Sequence, residues 1–143
     1  VAKKLRVEIP HQKEAEAQIE QELRRTHTAF GDNRISREWV VGAAVEYMSA
    51  SLPTADALKP LLNAYLANRT GGEGVFVYVS DALHAQAVAA LHDRLKALEA
   101  DAELKDLMPS LEGRGGGTNR KAIYYVAVRY YAAALAAKKG EGT

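Results

Sequence analysis

Two short stretches of this chain alternate polar and apolar residues, and they lie in opposite halves of it. In the first, Leu5, Val7 and Ile9 share one face and Lys4, Arg6 and Glu8 the other. In the second, Val75, Val77 and Val79 share one face and Phe76 and Tyr78 the other. A lone strand of this length cannot satisfy its own backbone N–H and C=O groups, so each needs a partner, and the other half of the same chain supplies one. The sequence predicts an antiparallel ribbon assembled from two remote segments.

Each strand runs into helical spacing. Pro10 ends the first ladder, and over 11–29 the residues Ala15, Ile19 and Leu23 recur every four positions with Glu and Gln opposite, which predicts an amphipathic helix. Gly31, Asp32 and Asn33 make a turn, and Ser36 opens a second helix carrying Trp39, Val40, Ala43, Ala44, Tyr47 and Met48. That helix is apolar over most of its surface and is predicted to be the core helix. A connecting helix follows over 54–68, with Pro60 kinking it or starting its main turn, and 69–74 is a glycine-rich break.

The second half repeats the order. Ser80 and Asp81 cap a helix that reaches about Leu98 with Leu83, Val88, Leu91 and Leu95 on its stripe. An acidic segment over 99–108 continues as a further helical piece that Pro109 stops, 112–117 is a loop, and Thr118 to Lys121 start a last, strongly apolar helix through Ile123, Val126, Tyr130 and Leu135. Strand, amphipathic helix, glycine turn with basic residues and apolar helix thus occur twice. The short match of Ala44-Val45-Glu46-Tyr47 with Ala127-Val128-Arg129-Tyr130, and of Ser36-Arg37 with Asn119-Arg120, points the same way. The expected architecture is one mostly α domain over 1–143 with a small two-stranded ribbon, built of pseudo-repeats at about 3–52 and 74–138 joined by a helical connector at 53–73.

Composition narrows the function classes. At 143 residues one core is the default. Hydrophobic residues at 48% and charged residues at 26% are ordinary globular usage, and no apolar run approaches the ~20 residues of a membrane span. There is no cysteine, which removes disulfides, thiolate metal sites and cysteine nucleophiles, and no secretion-signal pattern is seen. The expectation is a cytoplasmic protein without membrane contact. Net charge is only +1, so what matters is where the bases lie, and they gather on strands and at helix starts.

Strand–helix–helix units with a polar-faced strand (Leu5 to Pro10, Val77 to Ser80) and a second helix opened by a basic turn (Asn33-Arg34-Ile35-Ser36-Arg37) resemble the ribbon-helix-helix family of DNA-binding proteins. With both copies in one chain, the arrangement is similar to the tandem ribbon-helix-helix accessory proteins of conjugal DNA transfer. The resemblance implies a non-enzymatic protein whose ribbon enters the major groove of double-stranded DNA, acting in transcriptional regulation or in plasmid DNA processing and transfer. Lys4 and Arg6 would read bases, and Glu8 would accept from cytosine. Arg34, Ser36 and Arg37 would form one phosphate clamp, and Thr118, Asn119, Arg120 and Lys121, helped by Arg114, the second.

The second strand departs from that pattern, since it presents Phe76 and Tyr78 where a symmetric reader would carry polar side chains. Three consequences stand open: an asymmetric site, stacking of Phe76 and Tyr78 on single-stranded bases, or a ribbon face that binds a protein, as an interaction module with little DNA affinity. A protein partner in a regulatory or DNA-transfer complex, and further self-association, fit the same features.

Other signals lead elsewhere. The 113–121 segment lacks the Gly-Lys-Ser/Thr ending of a nucleotide-binding loop. His84 and His92 stand eight apart on one helix, ~12 Å, too far to share an ion, and are expected at the surface or in caps. Tyr124, Tyr125, Tyr130 and Tyr131 have core spacing, the acidic residues are expected on solvated helix faces, and no catalytic set, metal site or cofactor is predicted.

Overall fold

The computed structural model describes residues 4–26, 35–68, 74–113 and 117–141, with 139–141 described by backbone alone. Strand β1 (Lys4–Pro10) and strand β2 (Gly74–Ser80) pair antiparallel as a two-stranded sheet. The first residue of each lies opposite the last of the other, so Val7 faces Val77 at the centre, Arg6 faces Tyr78 and Glu8 faces Phe76. This is the ribbon that the alternation predicts. Val7, Ile9, Val77 and Val79 are buried beneath it, because burying that face removes four branched apolar side chains from water.

Among the described residues seven α-helices accompany the ribbon: α1 (Lys13–Thr26), α2 (Arg37–Ala50), α3 (Ala55–Asn68), α4 (Asp81–Val88), α5 (Arg94–Ala97), α6 (Ala102–Leu107) and α7 (Arg120–Glu141). A π-helical turn, Ala89–Asp93, joins α4 to α5, and a 3-10 turn, Met108–Leu111, follows α6. Local chemistry sets several of these boundaries. The Leu83 N–H donates to Ser80 Oγ at 3.1 Å, Asp101 Oδ1 accepts from Glu103 and Leu104 N–H, and Ala57 N–H donates to Thr54 Oγ1 at 3.2 Å. Helix α1 carries Glu14 and Glu16 in its first turn and Arg24 and Arg25 in its last, matching the helix dipole. Pro60 lies inside α3 on its exposed side. Pro109 falls within the 3-10 turn, so α6 tightens there instead of ending on the proline.

The centre of the core is α7, where the sequence points to α2. Every residue from Ala122 to Val128 is buried, since β1, α1, α2, α3 and α4 surround that stretch on all sides. Helix α2 buries Val40, Val41, Ala44, Val45 and Met48 against α7, but its Trp39 points outward and is 53% exposed. Seven consecutive buried positions exceed what one helix stripe supplies, and only a helix packed from every direction accommodates them. Helices α2 and α7 also reach across the molecule: α2 packs against β2 of the other half, and α7 against β1.

A polar network fastens α1 to this core. Glu16 is buried, contrary to the solvated position expected of the acidic residues. Its carboxylate accepts from the Gln12 N–H at 3.0 Å and from Arg37 Nε at 2.6 Å. Gln12 in turn donates from Nε2 to the Tyr125 carbonyl at 3.3 Å and accepts from Arg129 Nε at 2.8 Å. Three helices are cross-linked by groups that would otherwise be buried without partners.

Candidate nucleic-acid interface

The outward face of the ribbon carries Lys4, Arg6 and Glu8 from β1 and Phe76, Tyr78 and Ser80 from β2. Phe76 and Tyr78 are each 48% exposed, high for aromatic side chains on a strand whose other face buries Val77 and Val79. The Arg6 guanidinium lies over the Phe76 ring, 3.8 Å from its centroid, as the diagonal cross-strand neighbour. This contact holds the arginine against the ribbon with its charge exposed. The pairing is centred on Val7 and Val77, so a two-fold about that point would superpose Arg6 on Phe76 and Glu8 on Tyr78. The base-rich half and the aromatic half are therefore chemically unlike.

Helix starts flank the ribbon on both sides. Beside β1, the N-terminus of α7 and the loop before it enclose a cavity of about 470 Å³ lined by Arg6, Glu8, His84, Asn119, Arg120 and Lys121, with Thr118 and Gly113 at its edge. Six of the sequence-predicted residues, Arg6, Glu8, Thr118, Asn119, Arg120 and Lys121, are thereby brought into one concavity. Asn119 caps α7, its Oδ1 accepting from the Lys121 N–H at 2.9 Å. The Lys121 ammonium stands 3.7 Å from the Glu8 carboxylate, which reduces the net positive charge at this end. On the β2 side, Ser36, Arg37 and Phe76 share a second hollow with His11 and Lys13. The Ser36 side chain makes no capping bond, while Arg37, predicted to clamp phosphate, donates Nε to Glu16. Arg34 and Arg114 lie outside the described residues.

Sequence reasoning missed the two histidines as structural parts of this site. His92 is half-buried, and its Nδ1 accepts from the Thr118 N–H at 3.3 Å and lies 2.8 Å from the Thr118 hydroxyl. That bond pins the loop where it enters α7, helped by Gly113 N–H to Gly117 O at 2.7 Å and Asn119 N–H to Leu111 O at 2.6 Å. His84 Nδ1 is 2.8 Å from the Tyr124 hydroxyl. Burial first, and then the positive charge of Arg120, hold the His84 pKa below its ordinary value, against a smaller opposing pull from Asp81. No local pattern marks either residue, because both partners come from beyond the loop.

The sign of that shift fixes a pH response. The unfolded chain binds a proton at His84 more readily than the folded one, so stability is full above about pH 6.5 and falls as pH drops through and below it. Chemical denaturation between about pH 7 and 5 is expected to show this loss, and His84→Gln is expected to show a smaller one. Equal losses in parent and variant would exclude His84 as the source.

Among the described residues no helix is long and apolar enough to cross a membrane, and no three His, Asp or Glu side chains gather as metal ligands. No protein-family model, curated protein or solved structure matches this chain.

Proposed function

We propose that this chain is a non-enzymatic, double-stranded DNA-binding protein, an internally duplicated ribbon-helix-helix unit that lays the outer face of its ribbon in the major groove. The observation that carries the reading is the ribbon itself. Two remote strands pair in register with Lys4 and Arg6 on the exposed face, and the starts of α2 and α7 flank it. A two-stranded ribbon fits the major groove, and helix N-termini beside it hold phosphates through free N–H groups. The crossing of α2 to β2 and α7 to β1 supports duplication, since each half then completes the other. Arg6 is the base reader, and Asn119, Arg120 and Lys121 are the phosphate clamp. The role is transcriptional regulation or plasmid DNA processing and transfer.

A second reading, a protein-interaction module on the same scaffold, is favoured by three contacts. Arg6 rests on Phe76, Arg37 is neutralised by Glu16 and Glu8 by Lys121, which leaves an aromatic surface with little free positive charge. Titration of duplex DNA at several salt concentrations separates the two. With Lys4, Arg6, Arg120 and Lys121 as contacts, about four phosphates are neutralised and the slope of log K against log salt is about −3.6. Arg120→Ala is expected to weaken binding on every sequence and flatten the slope by about one, whereas Arg6→Ala relaxes sequence preference by about 1–3 kcal/mol. Salt-independent or undetectable binding would sink the DNA reading in favour of the module.

A further inference from the structure

The outer face of the ribbon changes character from one end to the other. Along it the cross-strand pairs run Lys4 with Ser80, Arg6 with Tyr78, Glu8 with Phe76 and Pro10 with Gly74. Both cations of the paired strands therefore stand where β2 finishes, and the carboxylate stands beside an aromatic ring towards the other end. The two central side chains of β1 lean the same way, each over its diagonal neighbour on β2. The Arg6 guanidinium lies 3.8 Å from the centroid of the Phe76 ring. Glu8 fills the space that a side chain at position 74 would take, since a Cβ built on Gly74 falls 2.9 Å from Glu8 Cγ and Cδ. Phe76 holds the guanidinium, and the bare glycine admits the carboxylate.

This order has no counterpart under the two-fold about Val7 and Val77, which carries Arg6 onto Phe76 and Glu8 onto Tyr78. Successive outward residues of a strand are ~6.6 Å apart, about the rise of two base pairs, so the two halves of the ribbon face different pairs. Their chemistry selects different bases. The stack engages the flat face of the Arg6 guanidinium, and the in-plane N–H fork matches O6 and N7 of guanine. Glu8 remains 41% exposed beside Lys121 and accepts from an exocyclic amino group, which cytosine and adenine both carry. Phe76, directly opposite Glu8 and half-exposed, decides between them: only an A·T pair sets a thymine methyl next to that amino group.

We infer that the ribbon reads a directional, non-palindromic duplex sequence, with G·C under the Lys4 and Arg6 half and A·T under the Glu8 and Phe76 half, so that the protein sits on DNA in one orientation. The inference rests on the DNA-binding reading above and names the class of sequence that reading requires.

Selection of the full chain against a random duplex library is expected to enrich a site with G·C on one side of its centre and A·T on the other. Making either half of the enriched duplex a copy of its other half is expected to weaken binding by about fivefold or more. Arg6→Ala is expected to lose the preference at the G·C side alone, and Phe76→Ala at the A·T side alone. Phe76→Arg with Glu8→Tyr gives both strands the same central pair of outward residues and is expected to enrich G·C on both sides. The chain has no cysteine, so Ala82→Cys, exposed at the start of α4 next to Ser80, accepts a single iron chelate, which is expected to cleave the DNA at the G·C end only. A palindromic enriched site, equal cleavage at both ends, or loss of both preferences in Arg6→Ala would overturn the inference while leaving DNA binding in place. Absence of any salt-dependent duplex binding would remove both.

Discussion

Val77→Asp is expected to abolish cooperative folding. Val77 is fully buried at the centre of the ribbon, opposite Val7, and its side chain closes the core over α2 and α4. A carboxylate there has neither water nor a cation, and its burial costs several kcal/mol against a native stability of about 5–15 kcal/mol. Far-ultraviolet circular dichroism and Trp39 fluorescence in urea would record the collapse of both halves together, because the ribbon is where they join. The neighbouring change, Tyr78→Asp, points outward and is expected to leave stability within about 0.5 kcal/mol while removing the proposed DNA affinity by like-charge repulsion. If the two variants were equally stable, the strand register would be wrong, since a slip of one residue exchanges the faces.

The two adjacent tyrosines of α7 are expected to respond oppositely to loss of their hydroxyls. Tyr125 is fully buried, its ring edge-on to Tyr65 at 5.4 Å and beneath the Arg129 guanidinium at 5.1 Å. Its hydroxyl has no hydrogen-bond partner among the described residues. Tyr125→Phe therefore removes a desolvated polar group without removing packing and is expected to be neutral or stabilising by up to about 1 kcal/mol, whereas Tyr125→Ala opens a cavity at about 3–5 kcal/mol. Tyr124→Phe breaks the bond to His84 and is expected to destabilise by about 1–3 kcal/mol. Urea midpoints of the three variants at constant m-value check the series. A destabilised Tyr125→Phe would mean that the hydroxyl has found a partner.

The candidate interface was legible where local rules govern it. Alternation placed Lys4, Arg6 and Glu8 on one face of β1, and glycine followed by polar residues marked the start of α7. Illegible were the contacts that tune those side chains. Arg37 carries the same local signature as Arg120, yet Arg37 meets Glu16 from twenty-one residues away. Trp39 fits the apolar stripe of α2 as well as Val40 does, and only the outward direction of that stripe's edge decides that one is exposed and the other buried.

Sequence by itself determined the two strands, their inward and outward faces, most of the helical segments and the helix-opening residues Ser80 and Asn119, because each depends on neighbours within about a turn. Tertiary structure alone decided that α7 forms the centre, that Glu16 is buried beside Arg37, and that His92 holds the Thr118 loop. It also decided that the Arg6 guanidinium lies over Phe76. Those outcomes depend on which distant surfaces meet, and the sum of many small packing energies over the whole chain fixes that choice, where a local pattern reports only one surface at a time.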